Sequence, residues 1–518
     1  MHRQRTRTRR LGIVALIAVA LLAGLLAACS DPAAERAEDP RPNVVVIMTD
    51  DQTLAELASM PKTKRYLTDE GTNFVNSFVS FPLCCPARST YLTGTYAHTH
   101  GVEDNVPPKG GNDKLDQSQT LPVWLQAAGY TTGHVGKYLN GYGDEAIGER
   151  PAAVPPGYDD WFGLIDPDVL KYYGFTVLDN GERRTYEDTD ANYQTDVLAD
   201  RAVADIASFS EQGKPFYLSI WPLAPHSGTG RGRPTITKEN GVTQDIGVAP
   251  VPAPRHAGLF PDATFPRTDS WFEPDISDKP DEMVQTRQRM DQGISDLGLD
   301  GLDIEEVVDV TYRSRLQSLQ AVDDLIEKVV IALDEQGQLD NTVIMFTSDN
   351  GWLYGEHGIP FAKVVLYEES IRVPMVVRGP GFPKGQVVTQ PTVNVDLTAT
   401  VLDAADATAA IAQQGTPLQV VANDPEAGKD RAVLLEAAWE KFDYDAVRVA
   451  GYMYAEYTSG SVELYDLFND PTSSTTRPAT PLQRCPTTPV PGAGGAARLP
   501  GPGLHRHRAA GRAARQLR

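Results

Sequence analysis

Cysteine is scarce in this chain, with only four among 518 residues. Cys29 and Cys485 lie near the two ends, and the other two, Cys84 and Cys85, are neighbours in the sequence. Adjacent cysteines rarely bridge each other, because the geometry of a disulfide strains the peptide between them. The sequence therefore excludes a small fold held together by disulfides, and its length instead predicts hydrophobic cores in two domains.

Basic residues are also scarce outside the two ends. The total formal charge is −22, but five arginines lie in residues 1–28 and eight in residues 477–518, and neither segment contains an acid or a lysine. Residues 29–476 therefore carry a net charge of −35. We expect no nucleic acid partner for such a body, and any anionic substrate must be held by locally placed cations.

The N-terminus has the pattern of an export signal. Five arginines precede an apolar run from Leu11 to Ala28, and the letters LAAC end at Cys29. This order is typical of a secretion signal peptide over residues 1–28. Its end resembles a bacterial lipobox, which implies a lipid on Cys29 and a place on the extracytoplasmic face of the cell membrane. Two alternatives stay open, namely secretion without a lipid and a single uncleaved membrane anchor.

Composition divides the rest of the chain. Residues 29–42 are rich in Ala, Glu, Asp and Pro and are predicted to be a tether. A large domain is predicted over residues 43–409 and a smaller C-terminal subdomain over 410–476. Residues 477–518 contain no Ile, Phe, Trp, Tyr or Met and cannot build a core. We expect a disordered or aberrant tail there, such as a frameshifted or truncated end, and resequencing the gene tests this.

Continuous β-branched runs predict strands that are buried on both faces. One such run, Asn43–Met48, ends in two aspartates, and a second, which begins at Asn341, ends in Asp-Asn. A helical stretch from Tyr312 to Gln336 precedes the second run, and two further apolar runs, Phe216–Trp221 and Val373–Val377, are also predicted to be strands. This alternation predicts an α/β fold. We expect a large N-terminal domain with a mostly parallel mixed sheet flanked by helices, and a smaller C-terminal α+β domain.

The acids and the amide after these two strands are Asp50, Asp51, Asp349 and Asn350. In open α/β sheets the ligand crevice lies beyond the carboxyl ends of the strands. Hard oxygen ligands suit Ca²⁺ or Mg²⁺ rather than a soft metal. The alternative is that these residues form helix caps and turns after the strands.

The run from Cys84 to Gly94, CCPARSTYLTG, resembles the signature of the type I sulfatase family of sulfuric ester hydrolases. The resemblance implies that a formylglycine-generating enzyme oxidises Cys84 to formylglycine (3-oxoalanine), whose hydrated aldehyde attacks the sulfur of a sulfate ester. The alternative is a buried or disulfide-forming cysteine. The resemblance also implies that the oxygen ligands named above and the modified Cys84 hold one divalent cation, expected to be Ca²⁺, with Mg²⁺ as the alternative. Asp349 is then expected to deprotonate the attacking hydroxyl group.

Four cationic residues match further positions of the family pattern. The resemblance implies that Arg88 fixes the nucleophile, that Lys137 and Lys363 contact the sulfate group, and that His226 donates a proton to the leaving alcohol. Many members of the family have a histidine where this chain has Leu139. A hydrogen bond to the nucleophile is therefore expected to be absent or to be supplied by another residue.

Short motifs most resemble those of N-acetylglucosamine-6-sulfatases that act on glycosaminoglycans, and they lie at Cys84–Pro86, Gly136–Asn140 and Arg378–Gly381. The resemblance implies a sulfated carbohydrate or aryl sulfate substrate. The Gly- and Pro-rich segment Gly228–Asp281 is expected to wall the substrate cleft. Two alternatives stay open: a phosphate or phosphonate ester hydrolase of the same alkaline phosphatase superfamily, and a catalytically silent glycan-binding lipoprotein.

Overall fold

The computed structural model describes residues 39–144, 152–439 and 442–476. The predicted signal peptide over residues 1–28, the predicted lipid site Cys29 and the predicted tail over 477–518 lie outside the described residues. The described residues from Arg41 onwards form one compact unit. In that part of the chain, no helix combines the length and the apolar character that crossing a lipid bilayer requires.

The strands of the described residues are, in chain order, β1 (Asn43–Thr49), β2 (Thr72–Phe74), β3 (Ser77–Phe78), β4 (Thr131–Lys137), β5 (Asp160–Leu164), β6 (Thr176–Asp179), β7 (Glu182–Thr185), β8 (Phe216–Trp221), β9 (Thr235–Thr237), β10 (Thr243–Asp245), β11 (Thr342–Ser348), β12 (Leu353–Tyr354), β13 (Pro360–Ala362), β14 (Met375–Arg378), β15 (Gln386–Val388), β16 (Thr392–Val393), β17 (Ala432–Trp439), β18 (Phe442–Val449), β19 (Tyr452–Tyr457) and β20 (Val462–Asp466). The α-helices are α1 (Pro61–Thr63), α2 (Cys84–Thr93), α3 (Ala97–His100), α4 (Leu121–Ala127), α5 (Gln194–Ser210), α6 (Asp281–Gln288), α7 (Met290–Asp296), α8 (Ile304–Glu335), α9 (Glu368–Ile371), α10 (Val395–Ala404) and α11 (Leu418–Asn423). Short 3₁₀ turns span Ala55–Ser59, Asn112–Lys114, Asp168–Leu170, Asp190–Asn192 and Leu339–Asn341, and one π-turn spans Lys64–Thr68.

Ten strands form one mixed sheet in the order β15-β2-β14-β11-β1-β8-β4-β5-β6-β7. The five central strands, from β11 to β5, all run parallel to one another. Antiparallel pairing begins on either side, at β14 and at β6. Every residue of β1 and of β11 is buried, which explains why their sequences are continuously apolar or β-branched. The predicted α/β class with a mostly parallel sheet is confirmed.

The predicted elements differ from the observed ones mainly at their ends. Helix α8 begins at Ile304, well before the predicted Tyr312, because the Asp303 side chain accepts a hydrogen bond from the Glu305 N–H and caps the helix. Strand β8 has its predicted bounds. Strand β14 starts two residues later than predicted, after Pro374, which has no N–H to donate to a sheet ladder.

Two apolar layers cover the sheet. Successive residues of a strand point to opposite faces, so Val45 and Ile47 of β1 belong to one core while Val44 and Val46 belong to the other. Helices α5 and α8 contribute to the first core, and α2, α4 and α10 contribute to the second. With both faces covered, the edge formed by the carboxyl ends of the strands is left for a site.

The C-terminal strands β17 to β20 form a four-stranded antiparallel sheet. This sheet packs against the larger domain, because Val433 and Tyr465 share one buried cluster with Phe78 and Leu366. The separate C-terminal sheet is as expected, whereas the boundary between residues 409 and 410 stays a prediction.

Candidate active site

The carboxyl ends of β1 and β11 bring the predicted oxygen ligands together. The two strands pair in parallel with Thr49 beside Ser348, so the residues that follow each strand are neighbours. Asp51 adopts a left-handed backbone φ of 67°, and its N–H donates a hydrogen bond of 3.0 Å to Asp349 Oδ1. Asn350 Nδ2 donates to Asp51 Oδ1 at 2.6 Å. All four predicted oxygen ligands are buried at this sheet edge.

Cys84 is the first residue of helix α2 and lies beside these acids. Its Sγ is 3.5 Å from Asp50 Oδ1, and Lys363 Nζ donates a hydrogen bond to the same Sγ at 2.9 Å. Burial, and after it the charge of Asp50, raises the pKa of the Cys84 thiol to about 12. The sulfur is therefore a neutral thiol at neutral pH, and a neutral thiol is a poor nucleophile.

Arg88 lies one helical turn after Cys84 and ties the helix to the strand ends. Its Nε donates to Asp349 Oδ2 at 2.9 Å, its Nη2 to Asp50 Oδ2 at 3.2 Å and its Nη1 to the Lys137 carbonyl at 3.0 Å. The guanidinium is fully buried. Positions i and i+4 of a helix share a face, which explains why Arg88 and Cys84 reach the same site.

The two predicted sulfate-binding lysines approach the acids from different elements. Lys137 is the last residue of β4, and its Nζ is hydrogen-bonded to Asp50 Oδ2. Lys363 follows β13, and its Nζ is hydrogen-bonded to Asp51 Oδ1. Each ammonium group has three donors, so each can contact a ligand oxygen while it keeps its aspartate partner.

His226 closes the remaining side of the cluster. Its Nδ1 is 2.8 Å from the Ser227 carbonyl, an acceptor, so Nδ1 carries a proton and donates it to this hydrogen bond. The other ring nitrogen, Nε2, lies 3.6 Å from Asp51 Oδ2, and 19% of the side chain is exposed. This exposed ring edge is available to a ligand that enters from solvent.

Burial and neighbouring charges shift the pKa values of the three buried carboxyl groups in different directions. Burial alone would raise the pKa of Asp50, but Lys137 and the other cations outweigh burial and lower that pKa below its ordinary value. At Asp51, burial again acts to raise the pKa and the Lys363 ammonium group acts to lower it, and the net result is a lowered pKa. Burial and then repulsion by Asp50 raise the pKa of Asp349. The three carboxylates lie among the three cations of Arg88 and the two lysines, so the charges nearly cancel.

The donor set fits a divalent cation. Asp50, Asp51, Cys84 and His226 each offer one ligand atom, and these atoms lie within 4.8 Å of one another. Within the described part of the chain, Asp51 Oδ2 and Asn350 Oδ1 are buried oxygens without a hydrogen-bond partner. Buried acceptors are normally satisfied, and carboxylate and amide oxygens are ligands that Ca²⁺ and Mg²⁺ prefer.

Residues 42–407 match the family model described as Sulfatase, which is more than half of the chain. The chain belongs to the sulfatase family. Residues 355–477 also match a model described as N-sulphoglucosamine sulphohydrolase, C-terminal. The family resemblance inferred from the signature run is therefore confirmed.

Named relatives of this sulfatase family member include enzymes that act on different esters. It is 36% identical over 403 residues to an arylsulfatase of Volvox carteri, covering 74% of this chain and 59% of that one. It is 34% identical over 396 residues to N-acetylglucosamine-6-sulfatase of Homo sapiens, covering 74% of this chain and 65% of that one. The chain thus spans about three fifths of the length of these relatives.

A solved structure supports the fold of this sulfatase family member. The protein in that structure is bound to its substrate, D-glucosamine-2-N,6-O-disulfate. The superposition has a TM-score of 0.65 at 24% sequence identity and covers 84% of this chain and 93% of that one.

One ion pair of the site was missed from the sequence. Arg315 of α8 contacts Glu56 through Nε at 2.7 Å and through Nη2 at 3.0 Å, and both side chains are buried. The same guanidinium donates to the carbonyls of Asp51 and Pro225. It therefore holds the backbone of one predicted metal ligand and of the residue before His226. The signal that could have identified it is an arginine four residues before Leu319, on the apolar face of the helix.

The cluster opens into a cleft of about 820 Å³, with His226 and Lys363 among its lining residues. Helices α6 and α7 and the aromatic side chains Trp352 and Trp439 form much of its wall. The segment Gly228–Asp281 was expected to wall this cleft. Among the described residues that line it, none comes from that segment. The two helices that follow the segment take this place instead.

Leu139 packs in an apolar core rather than in the site. Its side chain is 1% exposed and belongs to the cluster that contains Tyr138 and Trp161. Among the described residues, the hydrogen bond to the Cys84 sulfur comes from Lys363. The hydrogen bond that was expected to be absent or supplied by another residue is therefore supplied by Lys363.

Proposed function

We propose that this member of the sulfatase family hydrolyses sulfate esters, with formylglycine derived from Cys84 as the attacking group. The observation that carries the proposal is the position of Cys84 at the centre of a buried cluster of carboxylates and cations, in contact with Lys363 and Asp50. A pKa of about 12 leaves the thiol itself unreactive at neutral pH. Once formed and hydrated, formylglycine would supply two hydroxyl groups, one to attack sulfur and one to release the sulfate afterwards.

The proposal includes one divalent cation at the sheet edge. Asp50, Asp51, Asp349 and Asn350, together with the modified Cys84, would hold it. A bound ion would supply positive charge that polarises the sulfate group. We favour Ca²⁺ over Mg²⁺, because the protein offers several oxygens of its own whereas Mg²⁺ usually keeps several waters.

The chain's own cations have distinct roles in this proposal. Lys137 and Lys363 would neutralise oxygens of the sulfate group, since both ammonium groups retain donors beyond their aspartate partners. Arg88 would hold Asp50 and Asp349 in place through its two charge-assisted hydrogen bonds. His226 in its doubly protonated, imidazolium form would donate the Nε2 proton to the leaving alcohol, because the Nδ1–H is engaged by the Ser227 carbonyl and the ring edge is exposed.

We propose a carbohydrate sulfate as the substrate, of the N-acetylglucosamine-6-sulfate type, with an aryl sulfate as a simpler alternative. The relative from Homo sapiens carries the name of the first substrate class and the relative from Volvox carteri that of the second. The cleft has room for a sugar substrate, since about 820 Å³ falls within the usual range for ligand pockets. Trp439 on its wall is the kind of residue that packs on an apolar sugar face.

Comparison of sulfate and phosphate esters tests this proposal. The matured protein is expected to turn over 4-nitrophenyl sulfate and N-acetylglucosamine 6-sulfate faster than the corresponding phosphate and phosphonate esters. Cys84→Ala is expected to abolish turnover, whereas Cys85→Ala, which alters the neighbouring buried thiol, is the matched control and should retain it. Faster phosphorus chemistry would favour the phosphate or phosphonate ester hydrolase. Binding of sulfated sugar without any turnover would favour the silent glycan-binding protein.

We also propose that the protein is exported and held at the extracytoplasmic membrane face through lipidated Cys29. Support comes from the basic start of the chain, its apolar run and the small residues before that cysteine. Cys29→Ala is expected to release the protein from membranes into the medium. Retention of this variant in the membrane fraction would favour an uncleaved anchor.

A further inference from the structure

Arg289 is a cation on the wall of the cleft that has no partner among the described residues. It lies between α6 and α7 and lines the same cleft as Lys363 and His226. Its side chain is exposed, and no described residue forms an ion pair or a hydrogen bond with its guanidinium. Arg287 nearby differs, because it donates to the Glu273 carbonyl. The guanidinium of Arg289 is therefore available to a ligand in the cleft.

Trp352 gives a second, independent sign of a ligand in this cleft. Its side chain is 8% exposed and lines the cleft, and its Nε1 is buried without a hydrogen-bond acceptor among the described residues. A buried donor that lacks an acceptor is unfavourable, so an incoming oxygen atom would be bound well. Both features of the wall thus offer donors to acceptor oxygens of a ligand.

The rest of the molecule is strongly acidic, so the position of Arg289 indicates where an anionic group of a substrate can bind. Residues 29–476 carry a net charge of −35, so an anionic substrate is attracted only where cations are placed locally. Glu282 and Asp296 are the acids that line the same cleft. Glu282 Oε2 is buried without a donor, which suits a sugar hydroxyl, and Asp296 accepts from Gln292 at 2.8 Å. Neither acid neutralises Arg289.

We infer that Arg289 binds a second anionic group of the substrate, a carboxylate or a sulfate, while the ester to be cleaved lies at Lys363. The inference rests on the proposed function and narrows its substrate class to sugars that carry two anionic groups. A guanidinium forms two parallel hydrogen bonds with either group, which explains how it selects them over a neutral substituent. Trp352 Nε1 would donate to an oxygen of the same sugar.

Kinetics with matched substrates test the inference. The matured protein is assayed with N-acetylglucosamine 6-sulfate, with glucosamine 2-N,6-O-disulfate and with a 6-sulfated disaccharide that contains a uronate. Arg289→Gln is expected to lower kcat/KM about tenfold, mainly through KM, for a doubly charged substrate and to leave the singly charged one within about twofold. A loss confined to the disulfate identifies a sulfate at Arg289, and a loss confined to the disaccharide identifies a carboxylate.

Lys214→Gln is the matched control. Lys214 is exposed, lies outside this cleft and has no ion-pair or hydrogen-bond partner among the described residues. Lys214→Gln removes one positive charge, as Arg289→Gln does. It is expected to leave all three substrates within about twofold of the unaltered protein. Equal losses in Arg289→Gln and Lys214→Gln, or an equal effect of Arg289→Gln on all three substrates, would overturn the inference.

Calorimetric binding to Cys84→Ala separates this inference from the proposed function, because it requires no turnover. Cys84→Ala is expected to bind the doubly charged sugars about tenfold more tightly than N-acetylglucosamine 6-sulfate, and Arg289→Gln in that background should remove the difference. If this pattern appears but no sulfate ester is ever cleaved, the proposed function fails while the inference stands. If esters are cleaved but the difference in affinity is missing, the inference fails while the proposed function stands.

Discussion

Replacement of Arg315 with methionine would remove the guanidinium that holds the backbone of the site. Arg315 pairs with Glu56 and donates to the carbonyls of Asp51 and Pro225, the latter at 3.2 Å. Methionine retains most of the length of the side chain but none of its donors. The variant therefore tests both the stability of the buried pair and the positioning of the two site segments.

The expected loss of stability in Arg315→Met follows from the burial of the Arg315–Glu56 ion pair. Breaking a buried ion pair by removing one partner costs about 3–5 kcal/mol, because an uncompensated charge stays inside. Glu56 would keep hydrogen bonds from the Tyr354 hydroxyl and from the Thr53 N–H, so we expect the lower end of that range. For a fold of this size, each kcal/mol shifts Tm by about 1 °C, which gives a fall of about 3 °C. We expect kcat/KM to fall about 100-fold, since a 1 Å shift of site groups has an effect of this order.

Calorimetry and initial rates on a sulfate ester measure these two effects. Arg313→Met on the same helix is the control, because Arg313 is only half-buried and donates to a single carbonyl, that of Ala263, at 3.1 Å. The double variant Arg315→Met with Glu56→Gln should regain stability but not activity, which a purely structural role would not predict. The same behaviour of Arg315→Met and Arg313→Met in both assays would rule out a positioning role for Arg315.

Three further predictions concern charge, metal and pH. Lys137→Ala is expected to lower kcat/KM for sulfate esters by about 10²- to 10³-fold, because Asp50 and the sulfate group lose the same cation, and an unchanged rate contradicts this. Chelation with EDTA is expected to lower both Tm and turnover, with recovery on addition of Ca²⁺, and Asp51→Asn should abolish the Ca²⁺-dependent rise in Tm. Burial raises the pKa of Glu356 from 4.5 to about 7, so the folded state holds a proton that the unfolded state loses. Stability should therefore fall by about 1–3 kcal/mol between pH 4.5 and 7, and denaturation of Glu356→Gln should show a flatter profile, whereas a flat profile for the unaltered protein refutes the assignment.

The sequence predicted the sheet edge because the pattern there is local. A continuous apolar run predicts a buried strand, and parallel strands place their carboxyl ends at one edge of the sheet. Asp50 and Asp349 could thus be placed together from two short segments. Cys84 and Arg88 could be placed on one helix face from their spacing alone.

The support of the site could not be predicted in the same way. Glu56 and Arg315 are 259 positions apart, and only the packing of α8 on the sheet joins them. The wall of the cleft depends on where α6 and α7 lie after a long irregular segment, which no periodicity fixes. Lys363 follows a three-residue strand, so its contact with Cys84 depends equally on tertiary structure.

Mass spectrometry of the tryptic peptide Tyr66–Arg88, from protein made in its native host, shows whether Cys84 is converted to formylglycine. The peptide contains Cys84 and Cys85 and no other cysteine, so the two positions can be told apart by fragmentation. We expect formylglycine at position 84 and an unmodified thiol at position 85. An unmodified thiol at position 84 in protein that hydrolyses sulfate esters would contradict this expectation.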